Sequence, residues 1–250
     1  MRLLILGGTS EATALGRALA NDPRLQAEIS LAGRTSHPAP QPLPSRHGGF
    51  GGVEGLTHYL ATERIDVLID ATHPFAAQIS RNAAAATRAT GTRLLVLQRP
   101  EWRPIAGDRW TSVPTVADAA QALGATPRRV LLTIGRQELA PFAAAPWHHY
   151  VVRSVDVPPL ETLPPNAGII ATRGPFNEPD ERRLLVERRI EILVTKNSGG
   201  SATAAKLHAA RALGLQVVMV ARPPSPPGDI VVSVPAALEW LHTELPPRDA

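Results

Sequence analysis

A chain of 250 residues with no cysteine, a 44% hydrophobic share and a net charge of +4 has the make-up of a globular protein with room for a core. The missing cysteines exclude a disulfide scaffold, a zinc ribbon and a thiol nucleophile. The small charge surplus, the 4% aromatic share and the lack of a dense basic run argue against a nucleic-acid surface.

Along the chain, short apolar runs alternate with alanine-rich stretches of helical period. Leu3–Leu6 reads as a strand, too short for a signal peptide or a membrane span. No later segment reaches the ~18 apolar residues that a span needs, so a cytoplasmic chain with no membrane partner is expected. A helix follows near Ser10–Ala20, then strands at Glu28–Ala32 and Asp66–Asp70. Phe75–Thr90 reads as a helix with Pro74 at its first turn and Gly91 just past its end. Arg93–Leu97 is the next strand. Arg109–Val113 is a strand that either of two sheets could take, and Thr115–Leu123 is a helix.

The second half repeats the alternation. Strands are predicted at Val130–Ile134, Tyr150–Val152, Gly168–Thr172, Ile192–Thr195, Gln216–Val220 and Ile230–Ser233. Helices are predicted at Pro179–Arg189, Ser201–Leu213 and Pro235–His242, with a frayed tail after Pro246. Ser36–Pro44 and Gly48–Gly52 read as loops rich in proline and glycine. Strands that are apolar on both faces belong to buried parallel sheets. So many strands fit two sheets better than one. The expectation is an α/β protein of two parallel-sheet domains, 1–105 and 106–250, with the break inside 100–128.

Chemistry concentrates where strands end. Gly7-Gly8-Thr9-Ser10-Glu11 joins the first strand to the first helix. Glycines there let the backbone approach a phosphate, and the helix start offers free N–H groups. The match to a full G-x-G-x-x-G is poor, since Thr9 holds its third position. The second strand ends Ala32-Gly33-Arg34-Thr35. An acid there suits the ribose hydroxyls of NAD, whereas Arg34 and Thr35 suit a 2′-phosphate. A solvated surface arginine is the plain alternative. Further basic groups follow other strands: His73, Arg136 (with Gln137), Arg173 before Gly174, and Lys196 before Asn197-Ser198-Gly199. Together they describe an edge suited to an anion with several charges. His73 is the one acid–base candidate. No metal site is read from the sequence, and Glu138 and Glu101 find no partner from spacing.

Eight segments in this order resemble the precorrin-6A reductase family of corrin biosynthesis. They are Ile5–Glu11, Ala32–Arg34, Gly48–Gly52, Asp70–Ala76, Gln98–Trp102, Thr133–Glu138, Thr172–Phe176 and Thr195–Gly200. The resemblance implies two Rossmann-like domains with the active-site cleft between them. It implies NADPH as cofactor and hydride transfer to one carbon–carbon double bond of precorrin-6A, giving precorrin-6B. By that resemblance Gly7, Gly8, Thr9, Ser10, Glu11, Arg34, Thr35, Ala71, Thr72 and His73 would meet the cofactor. Arg136, Gln137, Arg173, Gly174, Lys196, Asn197, Ser198 and Gly199 would hold the carboxylates of the tetrapyrrole. Two rivals remain at this stage: cobalt-precorrin-6A reductase, and a non-catalytic nucleotide sensor.

Overall fold

A computed structural model of the chain describes residues 1–33 and 39–244. The expected contacts of Arg34 and Thr35 therefore lie outside the described residues. The chain divides into two compact units, Met1–Pro100 with Pro223–Ala250, and Glu101–Arg222. Each unit is built on a parallel six-stranded sheet.

The first unit runs β1 (Arg2–Leu6), α1 (Ser10–Leu19), β2 (Gln26–Leu31), β3 (Ser45–His47), α2 (Gly52–Thr62), β4 (Val67–Asp70), α3 (Ala77–Thr90) and β5 (Arg93–Leu97). The second unit follows with β6 (Arg109–Val113), α4 (Val116–Ala122), β7 (Arg129–Thr133), β8 (His149–Ser154), β9 (Ala167–Ala171), α5 (Glu178–Glu187), β10 (Ile192–Lys196), α6 (Ala205–Ala212) and β11 (Gln216–Val220). The chain then supplies β12 (Asp229–Val231) and α7 (Val234–Glu244) to the first unit.

The first sheet has the order β12-β5-β4-β1-β2-β3. Residues of alternate parity fill its two faces, as the strand period of two requires. Leu3, Ile5, Ile29, Val67, Ile69 and Leu95 pack with Leu15 and Leu19 of α1 and Leu241 of α7. Leu4, Leu6 and Leu68 pack on the other face with Leu56 and Leu60 of α2 and Ala83 and Ala86 of α3. Each buried leucine or isoleucine contributes about 1.5–3 kcal/mol, so both helix layers are needed. The second sheet has the order β6-β11-β10-β7-β8-β9. Leu131, Val151, Leu193 and Val217 of that sheet form one core layer with Leu185 of α5 and Leu207 of α6.

Both sheets share one plan. Strands β1 to β5 in the first, and β7 to β11 in the second, follow the same doubly wound order. The sixth place is filled by β12 in the first sheet and by β6 in the second. So β6 belongs to the second sheet, beside β11.

Three expectations need correction. The chain leaves the first unit after Pro100, at the start of the expected window, but 106–250 is not one domain. The segment from Pro223 onward returns to the first unit, because β12 pairs with β5 and Ala237 and Leu241 fill the α1 side of that core. The 3-residue strand β3 and the 11-residue helix α2 were hidden by proline and glycine. Finally, α3 starts at Ala77 and α6 at Ala205, so Pro74 and Ser201 lie in turns before their helices. Among the described residues no helix is long and apolar enough to cross a membrane.

Candidate functional site

In a doubly wound sheet the crevice outside the strand carboxyl ends opens where the winding reverses. In the first unit that point lies between β1 and β4, which pair directly. The turn Gly7–Glu11 leaves β1 there, and Ala71–His73 leaves β4. Thr9 ties the two turns together: its Oγ1 donates to the Ala71 carbonyl at 2.7 Å and accepts from Ala12 N at 3.1 Å, capping α1. Thr9 thus spends its hydroxyl on architecture. Gly8 is exposed at φ +105°, and a Cβ there would meet nothing within 4 Å. Gly7 is the tight glycine, since a Cβ there would lie 2.8 Å from Ile29 Cγ2 on β2. The open side of the turn therefore presents Gly8, exposed Ser10 and the first N–H groups of α1.

Glu11 puts a carboxylate beside that helix start. Arg99, which follows β5, donates to Glu11 Oε2 at 2.8 Å and neutralises it. Ser10 Oγ also donates to this carboxylate, at 3.0 Å. Arg99 lies in the Gln98–Trp102 segment, and only the fold brings it to Glu11. After β4, the buried carboxylate of Asp70 accepts from Thr72 N at 3.1 Å and Thr72 Oγ1 at 2.7 Å, folding the Ala71–His73 turn. His73 Nδ1 accepts from Phe75 N at 3.2 Å, which leaves the proton of the neutral ring on Nε2. Thr72, His73, Ser80, Gln98 and Pro226 line a small pocket beside this turn.

In the second unit the winding reverses between β7 and β10, which also pair. Gly135, Arg136, Gln137 and Glu138 leave β7, while Lys196 ends β10. Here the two turns are joined by charge, through an ion pair of Lys196 Nζ with Glu138 Oε2. Arg136 lies 3.7 Å from Asp156, which follows β8. Arg173 follows β9, exposed on the same carboxyl edge but two strands from β7, about 10 Å away at ordinary strand spacing. Gln137 is exposed beside Arg136, and Gly174 is half-buried beside Arg173.

Asn197 is placed differently from expectation. Its amide donates to the Trp102 carbonyl at 3.0 Å and accepts from Trp102 N at 2.9 Å. Both ends of the side chain are therefore committed to holding Trp102. The Trp102 indole donates to the Gly200 carbonyl at 2.8 Å, and Lys206 Nζ stands 4.9 Å from its ring centroid. Ser198 and Gly199 are buried in the same turn. The turn after β10 is thus stapled by Trp102, and the charged group it keeps is Lys196, whose side chain is mostly buried and paired with Glu138. Glu138, Asp156 and Trp102 could be assigned only once the strand order brought their partners to them.

Two parallel six-stranded sheets of Rossmann order, one with a glycine turn and a helix start at its reversal point, define an α/β protein of the doubly wound class. The family model described as "Precorrin-6x reductase CbiJ/CobK" matches residues 2–242. The chain belongs to this reductase family. It is 57% identical over 223 residues to precorrin-6A reductase of Sinorhizobium sp, covering 88% of this chain and 85% of that one. It is 50% identical over 241 residues to precorrin-6A reductase of Rhodobacter capsulatus, covering 96% and 95%. A solved structure titled CobK precorrin-6A reductase superposes over 100% of both chains with a TM-score of 0.93 at 47% identity.

Proposed function

We propose that this protein reduces one carbon–carbon double bond of precorrin-6A with NADPH, giving precorrin-6B. The observation that carries this reading is the meeting of the Gly7–Glu11 and Ala71–His73 turns at one reversal point, tied by the 2.7 Å bond from Thr9 to Ala71. The residues there fit a dinucleotide. Gly8 leaves open space where a side chain would intrude, the α1 start offers N–H donors, and the Glu11 carboxylate beside that start is neutralised by Arg99. Bound NADPH would supply the hydride.

The chain's own residues supply position and field. Gly8, Ser10 and the first turn of α1 would hold the pyrophosphate, and Arg34 with Thr35 the 2′-phosphate. Ala71, Thr72 and His73 would border the nicotinamide. His73 would hold the transferable proton at Nε2, since Nδ1 accepts from Phe75 N. Arg136, Arg173 and Lys196 would pair with substrate carboxylates; Asn197 would act through Trp102. A cytoplasmic setting accords with such a reaction.

The direct test is turnover. The purified chain should oxidise NADPH on addition of precorrin-6A and yield a product heavier by two hydrogens. Turnover of the cobalt-containing substrate instead would favour the cobalt rival. Tight NADPH binding with no oxidation in either assay would favour a nucleotide sensor. Arg34→Ala should weaken NADPH far more than NADH; equal losses would remove Arg34 from the 2′-phosphate.

A further inference from the structure

Arg46 occupies an unusual place on the first sheet. It lies on β3, in register with Ser30 of β2, on the face that carries Leu4, Leu6 and Glu28. Its Nη1 donates to Ser30 Oγ at 2.9 Å and to the Gly48 carbonyl at 3.1 Å. Its Nη2 donates to the Gly49 carbonyl at 3.4 Å. The guanidinium lies 3.9 Å from the Phe50 ring centroid and 5.2 Å from that of Tyr59. All of these partners are neutral. Glu28, two residues back along β2 on the same face, accepts instead from Tyr59 OH at 2.6 Å. Burial, and then that bond, push the Tyr59 hydroxyl up to about 12, so Tyr59 also stays uncharged. Among the described residues no carboxylate lies within ion-pair distance of Arg46.

A half-buried cation held by carbonyls, a hydroxyl and a ring has orientation but no counter-charge. The surroundings leave room for one. A Cβ on Gly48 or Gly49 would meet nothing within 4 Å. Just beyond, α2 begins at an N-cap, Gly51, that makes no side-chain capping bond. The helix start adds positive potential next to the turn. The end of β2 is adjacent as well: Gly48 N donates to the Leu31 carbonyl at 2.9 Å, and a Cβ on Gly33 would lie 3.8 Å from Gly48 N.

We infer that Arg46 and the Gly48–Gly52 turn form an anion-binding wall for the monoester phosphate on the adenosine ribose of the dinucleotide. This rests on the NADPH reading above and deepens it. Arg34, one residue past Gly33, need not carry cofactor choice alone. Arg46 is the cation fixed by the sheet, oriented before any ligand arrives.

The test is titration of the full chain with NADPH, NADH and 2′,5′-ADP by calorimetry. Arg46→Met should weaken NADPH and 2′,5′-ADP by about 10- to 100-fold, the scale of one charge-assisted hydrogen bond, while NADH changes little. Gly49→Asp guards against a folding artefact, because its Cβ enters open space. The added carboxylate should lower NADPH affinity selectively in the same way. Equal losses for NADPH and NADH in both variants, or none, would overturn the assignment. A wild-type chain that binds the two nicotinamides equally, or binds neither, would instead overturn the NADPH reading itself.

Discussion

The two units wind their sheets alike and finish the reversal point differently. In the first, β1 opens directly into the 10-residue helix α1, whose start is left facing the crevice. In the second, β7 opens into two short 3-10 turns, Arg136–Glu138 and Ala140–Ala144. A 3-10 turn of three residues has little dipole to offer an anion. What stands there instead is charge on side chains: Arg136, Lys196 and their partners Asp156 and Glu138. The first edge suits a phosphate that comes close to backbone. The second suits carboxylates met at the ends of long side chains. One topology therefore leaves backbone groups at one reversal point and charged side chains at the other, and the choice is made by the few residues after β1 and β7.

The sharpest way to break this comparison is to swap glycine for valine at the matching positions. Gly8 has φ +105° and Gly135 has φ +92°, and neither would crowd a Cβ. Valine at either costs about 1–3 kcal/mol of backbone strain. Only at Gly8 would the side chain also stand where backbone meets phosphate. Gly8→Val should weaken NADPH by about 100-fold, whereas Gly135→Val should leave NADPH affinity within about twofold. Equal effects in a calorimetric titration would end the distinction. His73→Ala comes next: kcat should fall by about 100-fold, the lower end for a lost general acid, with NADPH affinity nearly kept. An unchanged kcat would pass proton delivery to solvent. Lys196→Ala should raise the KM for precorrin-6A by about tenfold, the scale of one partly screened charge contact. It should leave NADPH binding unmoved; loss of NADPH instead would reassign the second unit.

Much of this was legible because parallel sheets write themselves as apolar runs. Leu3–Leu6 and Val217–Val220 are buried on both faces, and their sequences are apolar at every position. The glycine turn after β1 was equally plain. What stayed hidden was set by distant partners. Helix α2 starts at Gly52, the end of the Gly48–Gly52 run that reads as loop, and carries a further glycine inside it; a Cβ on Gly55 would collide with the Phe50 carbonyl, so that glycine is what lets the helix form there. The β12–α7 return could not be read locally, because nothing in Asp229–Glu244 marks β5 rather than β11 as its neighbour. Lys196 and Glu138 lie 58 positions apart, and Arg99 and Glu11 lie 88 apart. Strand order alone joins them.

The smallest expected effect distinguishes the units by pH. His148, in the second unit, is fully buried against Tyr150. Its Nδ1 accepts from Arg128 N at 3.1 Å, and its Nε2 lies 3.1 Å from the Gly124 carbonyl, so Nε2 carries the proton and donates. Protonating Nδ1 would set two N–H groups against each other. Burial, the larger cause, and the nearby Arg128 charge both hold the imidazole below its ordinary range, against the pull of the Gly124 bond. The folded state therefore binds fewer protons than the unfolded chain once pH drops below the free-histidine value of about 6.5. Stability is fully present above that value and is lost as pH falls from it toward the depressed folded value. The slope is at most about 1.4 kcal/mol per pH unit. Urea unfolding at pH 7.5 and 5.5 should show a lower midpoint at the acid end. His148→Gln, which has no proton to gain, should flatten that difference, and an unchanged pH dependence in the variant would assign the acid sensitivity to other groups.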